Sequence, residues 1–238
     1  MTAMPRFSES DAGVDEHLGG VIRTIGHDLR NKLGVMRNSA YYLNMKVGQQ
    51  SEKLSKHVGI LLKQIDMSSW IIGNLMDLTA ARPPTFAETD LNALVSNVLR
   101  RSIIPEGVQV TRMLAPNLPM VRADAEQLGR AIENVVVCQC ASLGEDHGLR
   151  VASRLYGGKV YVELADSGPG LPQEEEAHLF DLKLAGGFSP LKLGLVVARR
   201  LIELNHASLE VESKQGVGTR FTIVIPALDA LQEPLSNL

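Results

Sequence analysis

Apolar residues recur at alternating steps of three and four along the first third of the chain. This spacing marks one face of a helix, and no proline interrupts it between Asp15 and Ala81. A short polar break at 48–53 divides the pattern into two runs. The sequence therefore predicts a helical hairpin over 15–81. Its stripe comprises Ile22, Ile25, Leu29, Leu33, Met36, Ala40, Leu43 and Val47, then Leu54, Val58, Leu61, Ile65, Ser68, Ile72 and Leu75.

Two helices alone cannot enclose an apolar seam. The physical expectation is a homodimer whose four helices form a bundle around the stripe. A coiled-coil spacer would show the same spacing, so the pattern by itself leaves both interpretations open.

The composition excludes several classes of protein. The chain has 238 residues, of which 45% are hydrophobic, which is too many for a disordered chain. Its two cysteines, Cys138 and Cys140, cannot make a disulfide framework or a zinc site. A net charge of −3 argues against nucleic-acid binding. We find no membrane-spanning run and no signal peptide, so we expect a cytoplasmic protein without membrane contact.

Beyond the hairpin the pattern changes to mixed α and β. A proline-containing break at 82–89 indicates a linker, and residues 90–228 alternate between helical and strand patterns. Gly157 and Gly158 fall between two alternating runs, which predicts a tight β-hairpin. The predicted architecture is an α + α/β sandwich with helices on one face of a mixed sheet. We expect a disordered tail at 1–14, a C-terminal tail at 229–238, and no sensor domain within this sequence.

The segment GHDLRNKLGV, at 26–35, places a histidine in the middle of the first helix. A neutral imidazole can act as a nucleophile, and a neighbouring carboxylate such as that of Asp28 can fix its tautomer. Asn31 lies one helical turn from His27 on the same face. This face could hold a phosphoryl acceptor, its base and an amide that orients water. An isolated His-Asp pair is also typical of an ordinary solvated helix surface.

Two glycine-rich segments follow predicted strands in the second half. In ADSGPGLP, at 165–172, glycines allow close approach of a ligand, and Asp166 can accept a hydrogen bond from the amino group of a base. KQGVGTRFTIVIP, at 214–226, is a glycine turn before a strand. Each segment alone is an ordinary turn.

The order of these segments resembles the sensor histidine kinase family from about residue 20 to residue 226. HDLRNKL is similar to the H-box, EQLGRAIENVVVCQ to the N-box and DSGPG to the G1 box. LFDLKLAGG resembles the F-box region, and LKLGLVVARRLIE the G2 box. The resemblance implies a dimerisation and histidine phosphotransfer hairpin, followed by a histidine kinase/chaperone/gyrase-type ATPase domain.

The resemblance also implies roles for individual residues. His27 would accept the γ-phosphoryl group of ATP and pass it to an aspartate of a response-regulator receiver domain. Asp28 would be the general base, and Asn31 would position water for receiver dephosphorylation. Asp166 would bind the adenine amino group. With ATP and Mg²⁺ as cofactors, the nucleotide-binding set would be Asn134, Asp166, Gly168, Gly170, Gly194 and Thr219.

The sequence departs from the family pattern at the phosphate and metal end of the site. Cys138 stands where the family places its metal-binding asparagine, which leaves Asn134 as the remaining ligand. A thiol is a poor ligand for Mg²⁺. In the G2 box Lys192 replaces a glycine, and Ala141 replaces a basic residue. The second aromatic position of the F-box is Lys183 or Leu184, the lid at 184–190 is short, and Lys32 replaces a frequent proline.

Three hypotheses follow. The first is a transferase or receiver phosphatase of a phosphorelay that acts through His27, with weak or absent ATP-dependent autophosphorylation. The second is an active kinase with an atypical pocket, in which Asn134 or water holds Mg²⁺. The third is a non-enzymatic dimeric scaffold. Serine-directed anti-sigma-factor kinases share the ATP-binding fold but have no histidine-bearing hairpin, which argues against that class.

Overall fold

The computed structural model describes residues 9–47, 51–79, 82–102, 104–105, 107–144, 146–181 and 189–228. The chain divides into two compact units, with the boundary between Arg82 and Pro83. We describe each unit by itself.

The first unit is an antiparallel helical hairpin. Helix α1 spans Glu9–Val47 and helix α2 spans Glu52–Thr79. Arg37 forms an ion pair with Asp66 at 3.2 Å, and Gly26 lies so close to Met76 that a Cβ at position 26 would meet its sulfur at 2.7 Å. Helix α1 begins inside the segment predicted as a disordered tail and is longer than expected. It continues unbroken through Lys32, which donates a backbone hydrogen bond that proline lacks.

The apolar stripe is only partly covered within the hairpin. Ala40, Val58 and the off-stripe Trp70 are buried. Other stripe positions remain exposed by 39–56% of their surface: Ile25, Leu29, Met36, Leu43, Leu54, Leu61 and Leu75. The two helices therefore leave a substantial apolar surface that this unit does not enclose.

The second unit is an α/β sandwich built on a five-stranded mixed sheet. Its strands are β2 (Gln109–Leu114), β4 (Gly148–Tyr156), β5 (Lys159–Asp166), β6 (Ser208–Lys214) and β7 (Gly218–Pro226). They lie in the order β2-β4-β5-β7-β6, with β2 parallel to β4 and the other pairs antiparallel. The β4–β5 hairpin turns at Gly157 and Gly158, both with positive φ, as the sequence predicts.

Helices cover one face of this sheet. They are α3 (Leu91–Arg101), α4 (Ala125–Cys140) and α6 (Pro190–Leu204), while a short helix, α5, spans Gln173–Ala177. Residues alternate along β4 between buried, such as Leu149 and Val151, and exposed, such as Arg150 and Arg154. The buried set packs against the helices, as expected for a half-covered sheet.

The predicted linker at 82–89 contains a strand. β1 (Ala87–Thr89) pairs antiparallel with β3 (Val121–Ala123), so its last residues belong to the second unit. A three-residue strand is too short to show the alternation that predicts strands.

Within the described residues, no helix has both the length and the hydropathy needed to cross a bilayer.

A buried polar cluster fixes the start of α4. Asp124 caps the helix by accepting a bond from the backbone N–H of Gln127 at 3.0 Å. The backbone N–H of Asp124 donates in turn to Oδ1 of Asn205 at 2.6 Å. Nδ2 of Asn205 donates to the carbonyl of Leu201 at 2.8 Å and to Oε1 of Gln127 at 3.2 Å. One buried amide thus joins the end of α6 to the beginning of α4.

Replacing this amide should destabilise the second unit. Asn205→Ala leaves the Asp124 N–H and the Gln127 oxygen without the bonds described, and we expect a loss of about 2–3 kcal/mol. Calorimetric unfolding of the full chain, which can resolve the two units, measures the effect. The control is Asn97→Ala, since Asn97 is exposed on α3 and its side chain bonds only Arg100. Equal unfolding curves for the two variants would contradict the prediction.

Candidate functional site

The predicted phosphotransfer residues lie on the exposed surface of α1. His27, Asp28 and Asn31 are all exposed, and His27 and Asn31 are one turn apart. The carboxylate of Asp28 forms an ion pair with Nζ of Lys32 at 2.9 Å rather than a bond to the imidazole ring. Side chains at i and i+4 meet on a helix, whereas adjacent ones diverge, which explains this choice of partner. His27 is therefore presented to solvent.

In the second unit, the carboxylate of Asp166 is the centre of a hydrogen-bond cluster at the end of β5. Its Oδ1 accepts from the backbone N–H of Gly168 at 2.9 Å and from that of Thr219 at 3.2 Å. Its Oδ2 accepts from Nε2 of Gln139 at 3.0 Å. The structure thus brings together three of the predicted nucleotide-binding residues, Asp166, Gly168 and Thr219.

Thr219 has its hydroxyl engaged within the same cluster. Its Oγ1 lies 2.8 Å from Oγ of Ser213, which also accepts from the backbone N–H of Leu171 at 2.8 Å. The turn after β5 is thereby tied to the β6–β7 hairpin.

Two glycines are required here by contacts of the chain with itself. Gly170 has φ +65°, and a Cβ there would lie 2.1 Å from the carbonyl oxygen of Lys214. Gly218 has φ +133°, and its Cβ would lie 2.1 Å from the carbonyl oxygen of Asp166. The close packing of the turn after β5 against the β6–β7 hairpin accounts for both glycines without a ligand.

The remaining predicted site residues lie on the packed helices α4 and α6. Asn134 is fully buried on α4, and Gly194 is buried on α6. One turn beyond Asn134, Sγ of Cys138 donates to the carbonyl oxygen of Leu191 at 3.1 Å, in the first turn of α6. Burial raises the pKa of the Cys138 thiol well above its usual range, so it stays protonated and acts as a donor.

These groups do not fit a magnesium ion. A metal ligand at position 138 would have to be an electron-pair donor, but the neutral thiol directs its proton to a carbonyl of α6. No group of three or more His, Cys, Asp or Glu side chains suited to a metal occurs among the described residues. Mg²⁺ prefers oxygen ligands in octahedral geometry, and the predicted site offers the amide oxygen of Asn134.

Sequence reasoning missed Gln139. Its side chain is 3% exposed, and Nε2 lies 3.0 Å from each of three acceptors: the carbonyls of Leu164 and Thr219 and the carboxylate of Asp166. A signal was present in the sequence, because a long polar side chain falls on the buried side of α4, between two buried or half-buried cysteines. The pKa of the neighbouring Cys140 is raised to about 11, by burial and then by the charge of Asp166.

Part of the F-box and lid lies outside the described residues. Lys183, Leu184 and the rest of 182–188 belong to that part. Phe180, at its edge, is half-buried, and the guanidinium of Arg199 lies 5.1 Å from its ring centre.

A cavity of about 590 Å³ opens beside Asp166 on the strands. Its walls include Gly148, Arg150, Lys214 and Arg220. Asp166 and Thr219 also line it, whereas no residue of α4 or α6 does, so the cavity adjoins the strand end of the predicted site but not Asn134 or Gly194.

Comparison with known proteins finds similarity to an ATPase family and to sensor histidine kinases. Residues 123–229 match the family model described as histidine kinase-, DNA gyrase B- and HSP90-like ATPase. The sensory histidine kinase/phosphatase NtrB of Vibrio alginolyticus is 27% identical over 224 residues, covering 87% of this chain and 62% of that protein. The sensor histidine kinase ZraS of Klebsiella oxytoca is 24% identical, covering 88% of this chain and 46% of that protein. The chain thus spans about half the length of these relatives.

Solved structures share the fold. Full-length ShkA in complex with AMPPNP superposes with a TM-score of 0.62 at 21% identity, covering 87% of this chain and 46% of that one. The histidine kinase AdeS of Acinetobacter baumannii gives a TM-score of 0.54 at 16% identity, covering 85% of this chain and 98% of that one. The family match over residues 123–229 and the similarity to these relatives over most of the chain together support assignment to the histidine kinase family.

Proposed function

We propose that this chain is a phosphotransfer core of two-component signalling. His27 accepts a phosphoryl group and exchanges it with an aspartate of a response-regulator receiver domain, while ATP-dependent autophosphorylation is weak or absent. The observation that carries the proposal is a contrast between two sets of side chains. His27 and Asn31 are exposed on α1, whereas the thiol of Cys138 is engaged with α6.

The exchange needs an accessible imidazole nitrogen. In the direction from the receiver, a ring nitrogen of His27 attacks the phosphorus of the aspartyl phosphate, a P–N bond forms, and the aspartate leaves as a carboxylate as the P–O bond breaks. The reverse reaction returns the group. The lone pair must be free, so the reactive form is the neutral ring. When the P–N bond forms, the other ring nitrogen of His27 gives up its proton, and the carboxylate of Asp28 takes it once it has left Lys32. The Asp28–Lys32 pair is exposed and therefore weak.

A receiver-phosphatase activity fits the same face. The side-chain amide of Asn31 can orient a water molecule for attack on an aspartyl phosphate, and it lies one turn from His27. The relative from Vibrio alginolyticus carries the name kinase/phosphatase, which supports this arm of the proposal.

We propose that the hairpin forms a homodimer, with a second copy covering the apolar stripe. The exposed stripe residues of α1 and α2 support this, because a hairpin that left them in water would lose their burial energy. A four-helix bundle made from two hairpins would place both copies of the stripe in one core.

Two alternative functions, the second and third hypotheses from the sequence, remain. An active kinase with an atypical pocket is favoured by the family match and by the intact cluster around Asp166. In a non-enzymatic scaffold, His27 would have no chemical role.

The first prediction from the proposed function concerns His27. The chain is incubated with a panel of receiver domains, each phosphorylated by labelled acetyl phosphate. We expect the label either to move to the chain or to be lost faster from a receiver. His27→Ala should abolish transfer, because no other side chain on that face supplies the nucleophile. The control is His57→Ala, since His57 is also exposed but lies on α2.

Three results would contradict the proposal. Transfer that persists in His27→Ala would remove the proposed role of His27, and no effect on any receiver would favour the scaffold. Strong acid-labile labelling from ATP and Mg²⁺ that depends on His27 would show instead an active kinase.

The second prediction concerns the dimer. Leu61→Lys places a charge in the stripe, where burial without a partner is costly, so it should convert dimers to monomers at micromolar concentration. The matched control is Ile60→Lys, whose side chain is similarly exposed at 47% against 55% but lies off the stripe. Sedimentation velocity of both variants measures the change. Equal dimerisation of the two variants would argue against the stripe as the interface.

The third prediction concerns the metal. Cys138→Asn replaces a thiol by an amide oxygen, which Mg²⁺ prefers, and should raise His27 labelling from saturating ATP and Mg²⁺ about tenfold or more. Cys138→Ala removes the thiol without adding an oxygen and is the matched control. Raising the pH from 7 to 9 should not rescue the wild type, because the raised pKa keeps the thiol protonated there. Equal labelling of the Asn and Ala variants would refute the metal argument.

A further inference from the structure

The side-chain amide of Gln139 is held by its nitrogen. Nε2 lies 3.0 Å from the carbonyl oxygens of Leu164 and Thr219 and from Oδ2 of Asp166. Carbonyl oxygens only accept hydrogen bonds, so the nitrogen and not the oxygen must face them. Gln139 thus connects α4 with the end of β5 and the start of β7.

These contacts use the acceptors that a nucleobase amino group would need. Oδ1 of Asp166 already accepts from two backbone N–H groups, of Gly168 and Thr219, so Oδ2 is its remaining oxygen for an external donor. The NH₂ group of Gln139 bonds that oxygen. A primary amide and the exocyclic amine of adenine both present a planar NH₂ on an sp² carbon, and so Gln139 supplies from within the chain the donor that adenine would bring.

The oxygen of the same amide is closed to a ligand. Oε1 of Gln139 is buried and has no hydrogen-bond partner in the described part of the chain. It is inaccessible to solvent, so a base could reach it only if the side chain moved. An unsatisfied buried acceptor is also costly, and the bonds that the two N–H groups of Nε2 share among its three acceptors offset part of that cost.

We propose that Gln139 occupies the base-recognition acceptors of the ATPase domain and so weakens binding of adenine nucleotides. This inference rests on the proposed function, because it concerns the nucleotide arm of that function. The amide of Gln139 is thus a second cause of weak ATP use, beside the thiol of Cys138, and the two groups act at different places. Gln139 acts at Asp166, on the strands, whereas Cys138 acts at α6.

The test uses ADP without a metal ion, so that neither Cys138 nor the chemistry of His27 enters. Gln139→Ala removes the donor and opens the space, and should raise the affinity for ADP at least about tenfold, as expected for a freed hydrogen bond to a carboxylate. Titration calorimetry, or ligand-observed NMR for weak binding, measures the affinity of the full chain. Inosine diphosphate carries an oxygen in place of the amino group, and its affinity should not rise.

Two further variants separate the effect of the amide donor of Gln139 from the effect of its volume. Gln139→Leu keeps the volume but removes the donor, and it should bind ADP as weakly as the wild type because the space stays filled. Gln139→Ser is also small, and its hydroxyl can donate to one of the two carbonyls. It should raise the affinity for ADP as Gln139→Ala does, and it replaces that variant in the test where the Ala variant does not fold.

The outcomes are distinct. Equal ADP affinity of the wild type and of the folded small-residue variants overturns the inference about Gln139 and leaves the nucleotide site intact. Weaker binding in those variants also overturns it, and would identify the amide as a group that receives the base. No binding of ADP by any variant overturns the inference about Gln139 but agrees with weak or absent autophosphorylation, and transfer between His27 and a receiver is tested separately.

Discussion

The carboxylate of Asp166 is the interaction on which the second unit depends most. It joins the last residue of β5 to the start of β7 through Thr219, to the following turn through Gly168, and to α4 through Gln139. Each bond has a carboxylate acceptor, and hydrogen bonds to charged groups contribute about 1.5–3 kcal/mol. The same group therefore organises the fold and stands at the predicted base-recognition point. A bound base would compete with the structure for the lone pairs of Asp166, and Gln139 already uses one of them.

Much of the architecture follows from local patterns in the sequence. The heptad stripe predicts α1 and α2, the glycine pair predicts the β4–β5 hairpin, and Asp90 caps α3 by accepting from the N–H of Ala93 at 3.0 Å. These features depend on residues near one another in the chain, where periodicity and capping rules apply. The proximity of Asp166, Gly168 and Thr219 was also predictable, but only through the resemblance to a family.

The features that escaped prediction are those set by tertiary partners. Strand β1 exists because β3 pairs with it, since three residues carry no pattern of their own. Gln139 finds its acceptors on β5 and β7, which follow it by 25 and 80 residues. The sequence shows that residue 139 is a polar glutamine, but it does not show which acceptors the side chain meets when it is buried.

The direction in which side chains point separates the two candidate chemistries of this protein. At the C-terminal turn of α4, two successive side chains form hydrogen bonds inside the second unit. The thiol of Cys138 points toward α6, and the amide of Gln139 points toward the strands. A ligand entering there must first break bonds that the fold uses. On α1 the opposite holds, because His27 and Asn31 project into solvent and a partner can reach them without cost to the hairpin. In the proposed function, a phosphoryl group carried by another protein would meet an accessible acceptor at His27, whereas one carried by ATP would meet a site whose polar groups are already bonded within the chain.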